Sequence, residues 1–263
     1  MGAALAACSA PSPPPAPSLE VALVQQRGDI AVDRVQLRVT NTSPVATTLT
    51  AASFSSPVLD GPAEWDATRP TTLAAGRTVD LPVFLPAIRC TDASGVPEAT
   101  VTADGATTTV TLSDDLDFLH RASATACDRA ELASVVRVTA TGAAVGPDGS
   151  ITLRLAVEPS QSGEGTAELV ALRGTVLLRF AAGAAAPLGV SVSARDAPSV
   201  VEVAVVPQRC DAHAIAEDKV GTLFDLVARV DGREIVVPLE RSKDVADALL
   251  VLTAQVCGLT PAP

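Results

Sequence analysis

The side chains best equipped for chemistry lie together in Arg209-Cys210-Asp211-Ala212-His213-Ala214-Ile215-Ala216-Glu217-Asp218-Lys219-Val220-Gly221-Thr222. Asp211, His213, Glu217, Asp218 and Lys219 place three carboxylates, an imidazole and an ammonium within nine residues. If the stretch is helical, His213 and Glu217 share a face at i, i+4, a spacing able to hold a metal ion or pair a proton. A charged crossover loop has the same composition and is the expected outcome. Any localised ligand or partner site is expected here too. His120 is the other histidine; it stands between Leu119 and Arg121 with no nucleophile motif near it, so a structural or solvated role is expected. Asp114, Asp115 and Asp117 crowd a helix start, where the helix dipole accounts for them without calcium. No G-x-S-x-G elbow, phosphate-binding glycine loop, H-E-x-x-H or EF-hand spacing occurs. The chain is therefore expected not to be an enzyme and to hold no cofactor and no resident metal.

Those residues must be positioned by elements built around cysteines. Apart from Cys8 there are four: Cys90, Cys127, Cys210 and Cys257. An internal repeat selects among their three possible pairings. Val35-Gln36-Leu37-Arg38-Val39 matches Ile151-Thr152-Leu153-Arg154-Leu155, and Arg89-Cys90 matches Arg209-Cys210. Asp104-Gly105 matches Asp231-Gly232, and Cys127 matches Cys257. The offset between copies grows steadily along the chain, as small loop insertions in the second copy require. The loop after Cys210 is the larger of these insertions. One bridge per copy is predicted, Cys90–Cys127 and Cys210–Cys257, each worth roughly 4 kcal/mol in the chain-entropy account. No C-x-x-C pair exists to start a thiolate metal site.

Within each copy apolar residues alternate with polar ones, as in Val35, Leu37, Val39 and again in Ile151, Leu153, Leu155, Val157. That period puts one face in a core and the other in water. Strands are predicted near 19–26, 33–42, 46–55, 78–85, 98–104 and 106–113. In the second copy they fall near 134–142, 151–158, 167–173, 175–181, 189–195, 199–206, 222–230 and 233–240. The two Asp-Gly pairs sit where a type I′ hairpin turn needs positive φ. Each copy should end in a short helix carrying its second cysteine. Ser113 and Asp114 would cap the first, ahead of Leu116, Leu119, Ala122 and Ala126. Val245, Ala248, Leu249, Leu252 and Val256 would line the second, with Asp244 in its first turn. The expected fold is all-β: two tandem immunoglobulin-like sandwiches, 19–129 and 130–263, each closed by a disulfide-stapled helix. The pattern departs from antibody domains, since Trp65 precedes Cys90 and there is no tyrosine. With aromatics at 2%, the cores should be Val, Leu, Ile and Ala.

The chain opens Met1-Gly2-Ala3-Ala4-Leu5-Ala6-Ala7-Cys8, and Leu5-Ala6-Ala7-Cys8 resembles a bacterial lipobox. The resemblance implies cleavage before Cys8 and a lipid on that residue, with 1–8 the end of a shortened signal peptide. Several buried acyl chains, at roughly 0.8 kcal/mol per CH₂, would hold the protein at a membrane. Residues 9–18, Ser-Ala-Pro-Ser-Pro-Pro-Pro-Ala-Pro-Ser, read as a polyproline II-like tether. Lipobox, tether and sandwich in that order are similar to exported lipoproteins of actinobacterial type. The Arg-Cys-Asp-x-His-Ala stretch is similar to segments of such proteins, a resemblance that implies no particular activity. What it implies is an address: the extracytoplasmic face of the cell membrane, reached through lipid on Cys8.

Charge narrows the partners. The net charge is −11 over 263 residues, which excludes a nucleic-acid backbone as partner. The acids are spread evenly, 14 against 8 bases in 19–129 and 16 against 11 in 130–263. The expected function is a lipid-anchored interaction or structural protein of the cell envelope, working on a protein partner through its surfaces. The alternative is a solute- or metal-binding accessory of a transport system, using an interdomain cleft or the 211–219 loop.

Overall fold

Alternation decides the strands, and capping decides the helices. The computed structural model describes residues 17–30, 32–91, 95–146, 148–161, 163–217 and 220–259. Cys8 and most of the proline tether lie outside them. The first copy runs β1 (Leu19–Val24), α1 (Arg27–Ile30), β2 (Arg34–Asn41), β3 (Thr47–Ser55), β4 (Ala63–Glu64), β5 (Thr71–Leu73), β6 (Thr78–Phe84), β7 (Glu98–Ala103), β8 (Ala106–Ser113) and α2 (Phe118–Val135). In β2 the odd-numbered Val35, Leu37 and Val39 are fully buried and Arg38 and Thr40 only half so, the signature of one wet face.

Antiparallel pairing joins β6, β2 and β1 into one layer and β8, β7 and β3 into the other, with β4 and β5 on the outer edge of β3. The end of β8 then crosses to pair in parallel with β1, at Val21↔Leu112 and Ala22↔Ser113. The inner faces meet on Leu37, Leu49, Phe54, Leu59 and Val83, all at most 2% exposed.

The second copy repeats the plan. It runs β9 (Val136–Val145), β10 (Ile151–Pro159), β11 (Thr166–Arg173), β12 (Leu178–Phe180), β13 (Ala185–Ser193), β14 (Ser199–Pro207), α3 (Ala212–Glu217), β15 (Asp225–Val230), β16 (Arg233–Pro238), β17 (Glu240–Arg241) and α4 (Lys243–Val256). One layer is β12-β14-β10-β9-β17, and the other is β13-β11-β15-β16. The parallel closure recurs as Glu240↔Thr139 and Arg241↔Ala140. Both copies bulge in the same strand, at Thr50 in β3 and Val170 in β11. Both Asp-Gly hairpins have the positive φ that a type I′ turn requires: 50° and 80° at Asp104-Gly105, 46° and 90° at Asp231-Gly232. Each aspartate also ties its turn to a neighbouring strand. Asp104 accepts from Thr47 and the Thr48 amide, and Asp231 from the Thr166 amide. The architecture is a pair of tandem immunoglobulin-like β-sandwiches.

Several expectations need correction. The predicted strand at 175–181 shrinks to β12, because the Thr175 hydroxyl accepts from the Leu177 and Leu178 amides and fixes a turn there. The strand expected over 222–230 begins only at Asp225. The one expected over 233–240 breaks at Pro238, which has no amide to donate. Ser18, assigned to the tether, is docked: its amide donates to Ser43 Oγ and its carbonyl accepts from Thr42. The cores are not purely aliphatic, since Phe54, Phe180 and Phe224 are all but fully buried.

Helix α2 is longer than expected and carries both cores. The Asp114 carboxylate accepts from the Phe118 and Leu119 amides at 2.7 and 2.8 Å, so it caps the helix as anticipated. The first turn, however, starts at Phe118 and leaves Leu116 exposed. Phe118 and Leu119 pack into the first core, whereas Leu132 and Val135 pack into the second. The helix passes without a loop into β9, and positions 129 and 130 lie inside it.

Candidate functional site

The loop singled out by its composition leaves β14 at Pro207. The Gln208 amide donates to Leu177 O at 2.8 Å. Cys210 is bonded to Cys257 at the end of α4, with 5.3 Å between their Cα atoms, and Cys90 to Cys127 at 5.4 Å. Both predicted pairings are present. The bridge seats α3 against α4 and drives Ile215 into the second core, where it is 7% exposed.

Asp211 turns out to be an architect of this loop. Its Oδ1 accepts the Ala214 amide at 2.7 Å and its carbonyl accepts the Ile215 amide at 3.0 Å, so it caps α3. His213 is exposed on the first turn of that helix. Glu217 ends the helix, so the i, i+4 relation to His213 is real at the backbone level. The Glu217 side chain, Asp218 and Lys219 lie outside the described residues. Among the described residues no group of three or more His, Cys, Asp and Glu side chains converges as a metal site. The loop closes through Thr175, whose hydroxyl donates to Gly221 O at 2.6 Å, and Arg241, whose Nε donates to Thr222 O at 2.9 Å. Burial pulls the Arg241 guanidinium below its usual range, with the Asp247 charge acting against it. His120 is exposed on α2, as a solvated histidine should be.

Three polar features carry no motif in the sequence. Asp29, 1% exposed, accepts from Gln36 Nε2 at 2.9 and 3.0 Å, from Arg34 Nε at 2.6 Å and from the Gln26 amide at 2.9 Å. Burial raises its pKa, but the hydrogen bonds from Gln36, Arg34 and Gln26 and the Arg34 charge outweigh it, so the carboxyl titrates below its usual range. Asn41, wholly buried, donates to Val45 O and Leu73 O and accepts from the Ser43 amide, tying the β2–β3 loop to the end of β5. Arg233 of β16 reaches Asp128 at 2.9 Å and also Glu131, clasping the second sandwich to α2. No periodicity announces these contacts, since each depends on a particular side-chain geometry and not on a repeating pattern.

The cavities are modest. One of about 20 Å³ lies under α2 among Leu132, Val136, Leu226 and Leu239, beside Arg129, whose Nε is buried without a hydrogen-bond partner. It is large enough for a single water. A second, open groove of about 200 Å³ runs along Thr166, Glu168, Ser191 and Arg229. Among the described residues no helix is long and apolar enough to cross a membrane.

No protein family matches the chain, and no curated protein matches it. Among solved structures, it is similar to the CsuC-CsuE chaperone–tip adhesion subunit pre-assembly complex from archaic chaperone-usher Csu pili of Acinetobacter baumannii. There the identity is 11%, the match covers 80% of this chain and 93% of that one, and the TM-score is 0.24. The YadV chaperone is 12% identical, over 79% of this chain and 92% of that one, with a TM-score of 0.20. Red sea bream transglutaminase is 13% identical, with a TM-score of 0.23; 86% of this chain spans 31% of that one. Superpositions this loose carry no argument about what the chain does.

Proposed function

We propose that this protein is a lipid-anchored interaction or structural protein of the bacterial cell envelope, held on the extracytoplasmic face through Cys8. The observation that carries the reading is the pair of bridges Cys90–Cys127 and Cys210–Cys257, each closed within its own sandwich. Structural cystines of this kind belong to chains that fold in an oxidising compartment. The lipobox-like Leu5-Ala6-Ala7-Cys8 supplies an anchor, and the Pro/Ser stretch after it supplies reach from a bilayer. Helix α2, shared by both cores, makes the two sandwiches a stiff support for their loops and outer faces, as suits a protein that works by presenting surfaces.

The test is made in a bacterial host, with the chain expressed behind an intact signal peptide. The wild type is expected in the membrane fraction, with an acylated peptide beginning at Cys8 by mass spectrometry. Cys8→Ala is expected in the soluble extracytoplasmic fraction. An unmodified Cys8 in exported wild-type protein would overturn the proposal.

A further inference from the structure

The two copies differ sharply on one surface. In the second sandwich the outer face of β11, β15 and β16 carries a ladder of ions: Arg229 contacts Glu168 at 3.0 Å and Glu234 at 3.4 Å. The repeat that aligns Asp231-Gly232 with Asp104-Gly105 sets Arg229 against Thr102 and Glu234 against Thr107. Arg229 pairs with Glu168 across β11, and the matching Thr102 pairs across β3 with Ala51, next to the bulge at Thr50. Where the second sandwich has Arg229, Glu234 and Glu168, the first has Thr102, Thr107 and the small Ala51, with Thr50 beside it.

Those threonines are ordered. Thr102 and Thr107 hydroxyls lie 2.9 Å apart, Thr48 and Thr72 3.1 Å, and Thr100 and Thr109 3.5 Å, while Thr50 donates to Thr102 O at 3.2 Å. Strands β3, β5 and β8 contain no ionisable residue, and β7 contains only Glu98, at its far end. In a chain that is 19% charged, this is a hydroxylated face with no charge inside its strands but Glu98. Strands ~4.8 Å apart and ~3.3 Å per residue give it an area of roughly 300 Å². A stable interface with a folded protein or a second copy needs about 800 Å² per partner. Lacking cations on a protein of charge −11, the face offers nothing to an anionic polymer.

We infer that the outer face of β3, β7 and β8 docks a neutral, hydroxyl-rich polysaccharide strand. A hydroxyl pair spends one donor internally and keeps one O–H and spare lone pairs for a ligand, which suits a partner that is itself a polyol. The threonine methyl groups between them meet the C–H faces of sugar rings. β-branched side chains already fixed in the sheet lose little rotamer freedom on binding. The inference stands whether or not Cys8 carries lipid, so it succeeds or fails apart from the anchoring proposal.

The experiment is affinity electrophoresis of the purified protein through gels containing hydroxyethyl cellulose, dextran or mannan, with carboxymethyl cellulose as the charged counterpart. Retardation is expected in at least one neutral gel and absent from the charged one. It should be lost in A51E/T102R/T107E, which transplants the ion ladder of the second sandwich onto the matching pairs Ala51↔Thr102 and Thr102↔Thr107. A second variant, T100V/T109V, removes one hydroxyl pair while keeping β-branched residues, and should weaken retardation with an unchanged melting profile. Mobility unaltered in all three neutral gels, equal retardation in carboxymethyl cellulose, or retardation that survives both variants overturns the inference. So does a wild-type dimer in solution that A51E/T102R/T107E dissolves, since the occupant would then be a second copy.

Discussion

Asp29 is the buried charge on which the first sandwich depends, and removing it is a sharp test of how the fold is held. Its carboxylate collects donors from Gln36, Arg34 and the Gln26 backbone, and Gln36 is itself only 5% exposed. Asp29→Ala leaves a buried amide without its acceptor and a half-exposed guanidinium without its partner. The expected cost is about 3 kcal/mol, or about 8 °C in melting temperature for a chain of this length. Asp29→Asn keeps one acceptor oxygen and should cost about half as much. The pH dependence has a definite sign. The folded carboxyl titrates below its unfolded value, so its contribution is complete above the unfolded pKa and is lost as pH falls through the folded one. Urea denaturation from neutral to acid pH should therefore show the wild type losing its advantage over Asp29→Asn on the acid side. A loss under about 1 kcal/mol for Asp29→Ala, within the range of ordinary substitutions, would refute the reasoning. A pH profile for Asp29→Asn parallel to the wild type would refute it too.

Three further outcomes follow from contacts already described. Replacing Cys210 and Cys257 together by serine should lower stability by about 4 kcal/mol, read by calorimetry against the oxidised wild type, because the bridge closes a separation of 47 residues. Asp114→Ala should cost about 1–2 kcal/mol in urea denaturation, since two amides at the start of α2 lose their acceptor. Leu153→Ala, in the centre of β10 and fully buried, should cost about 3 kcal/mol by the same measurement.

Local chemistry was legible in the sequence, and tertiary chemistry was not. The alternation of Val35, Leu37 and Val39 and of Ile151, Leu153 and Leu155 placed the central strands because period two has no other use. The Asp-Gly turns, the Asp114 cap and both cystine pairings were readable because each depends on residue type and the internal repeat alone. The length of α2 was not readable. Residues 122–135 are rich in alanine, and only the second core tells Leu132 and Val135 to stay helical where a strand was expected from 134. The short strands β4 and β5 escaped notice because two or three residues carry no period. In the 211–219 loop the sequence showed the charges correctly, yet Asp211 proved to be a helix cap, a role that composition cannot separate from ligation. The threonine face was visible only once sheet register set Thr102 against Thr107 and the repeat set both against an ion pair.

The shared helix has a bearing on how such a chain can be cut or recombined. A break at the boundary between repeats, after residue 129, would divide α2 and leave 130–135 too short to stay helical by itself. Leu132 and Val135 would then lose their footing, and Arg233 would find Asp128 and Glu131 on different polypeptides. The second sandwich excised at that point would be a damaged one, so recombination that moves it must carry the whole helix with it. The repeat is thus legible as two units in sequence, while in structure one helix belongs to both cores.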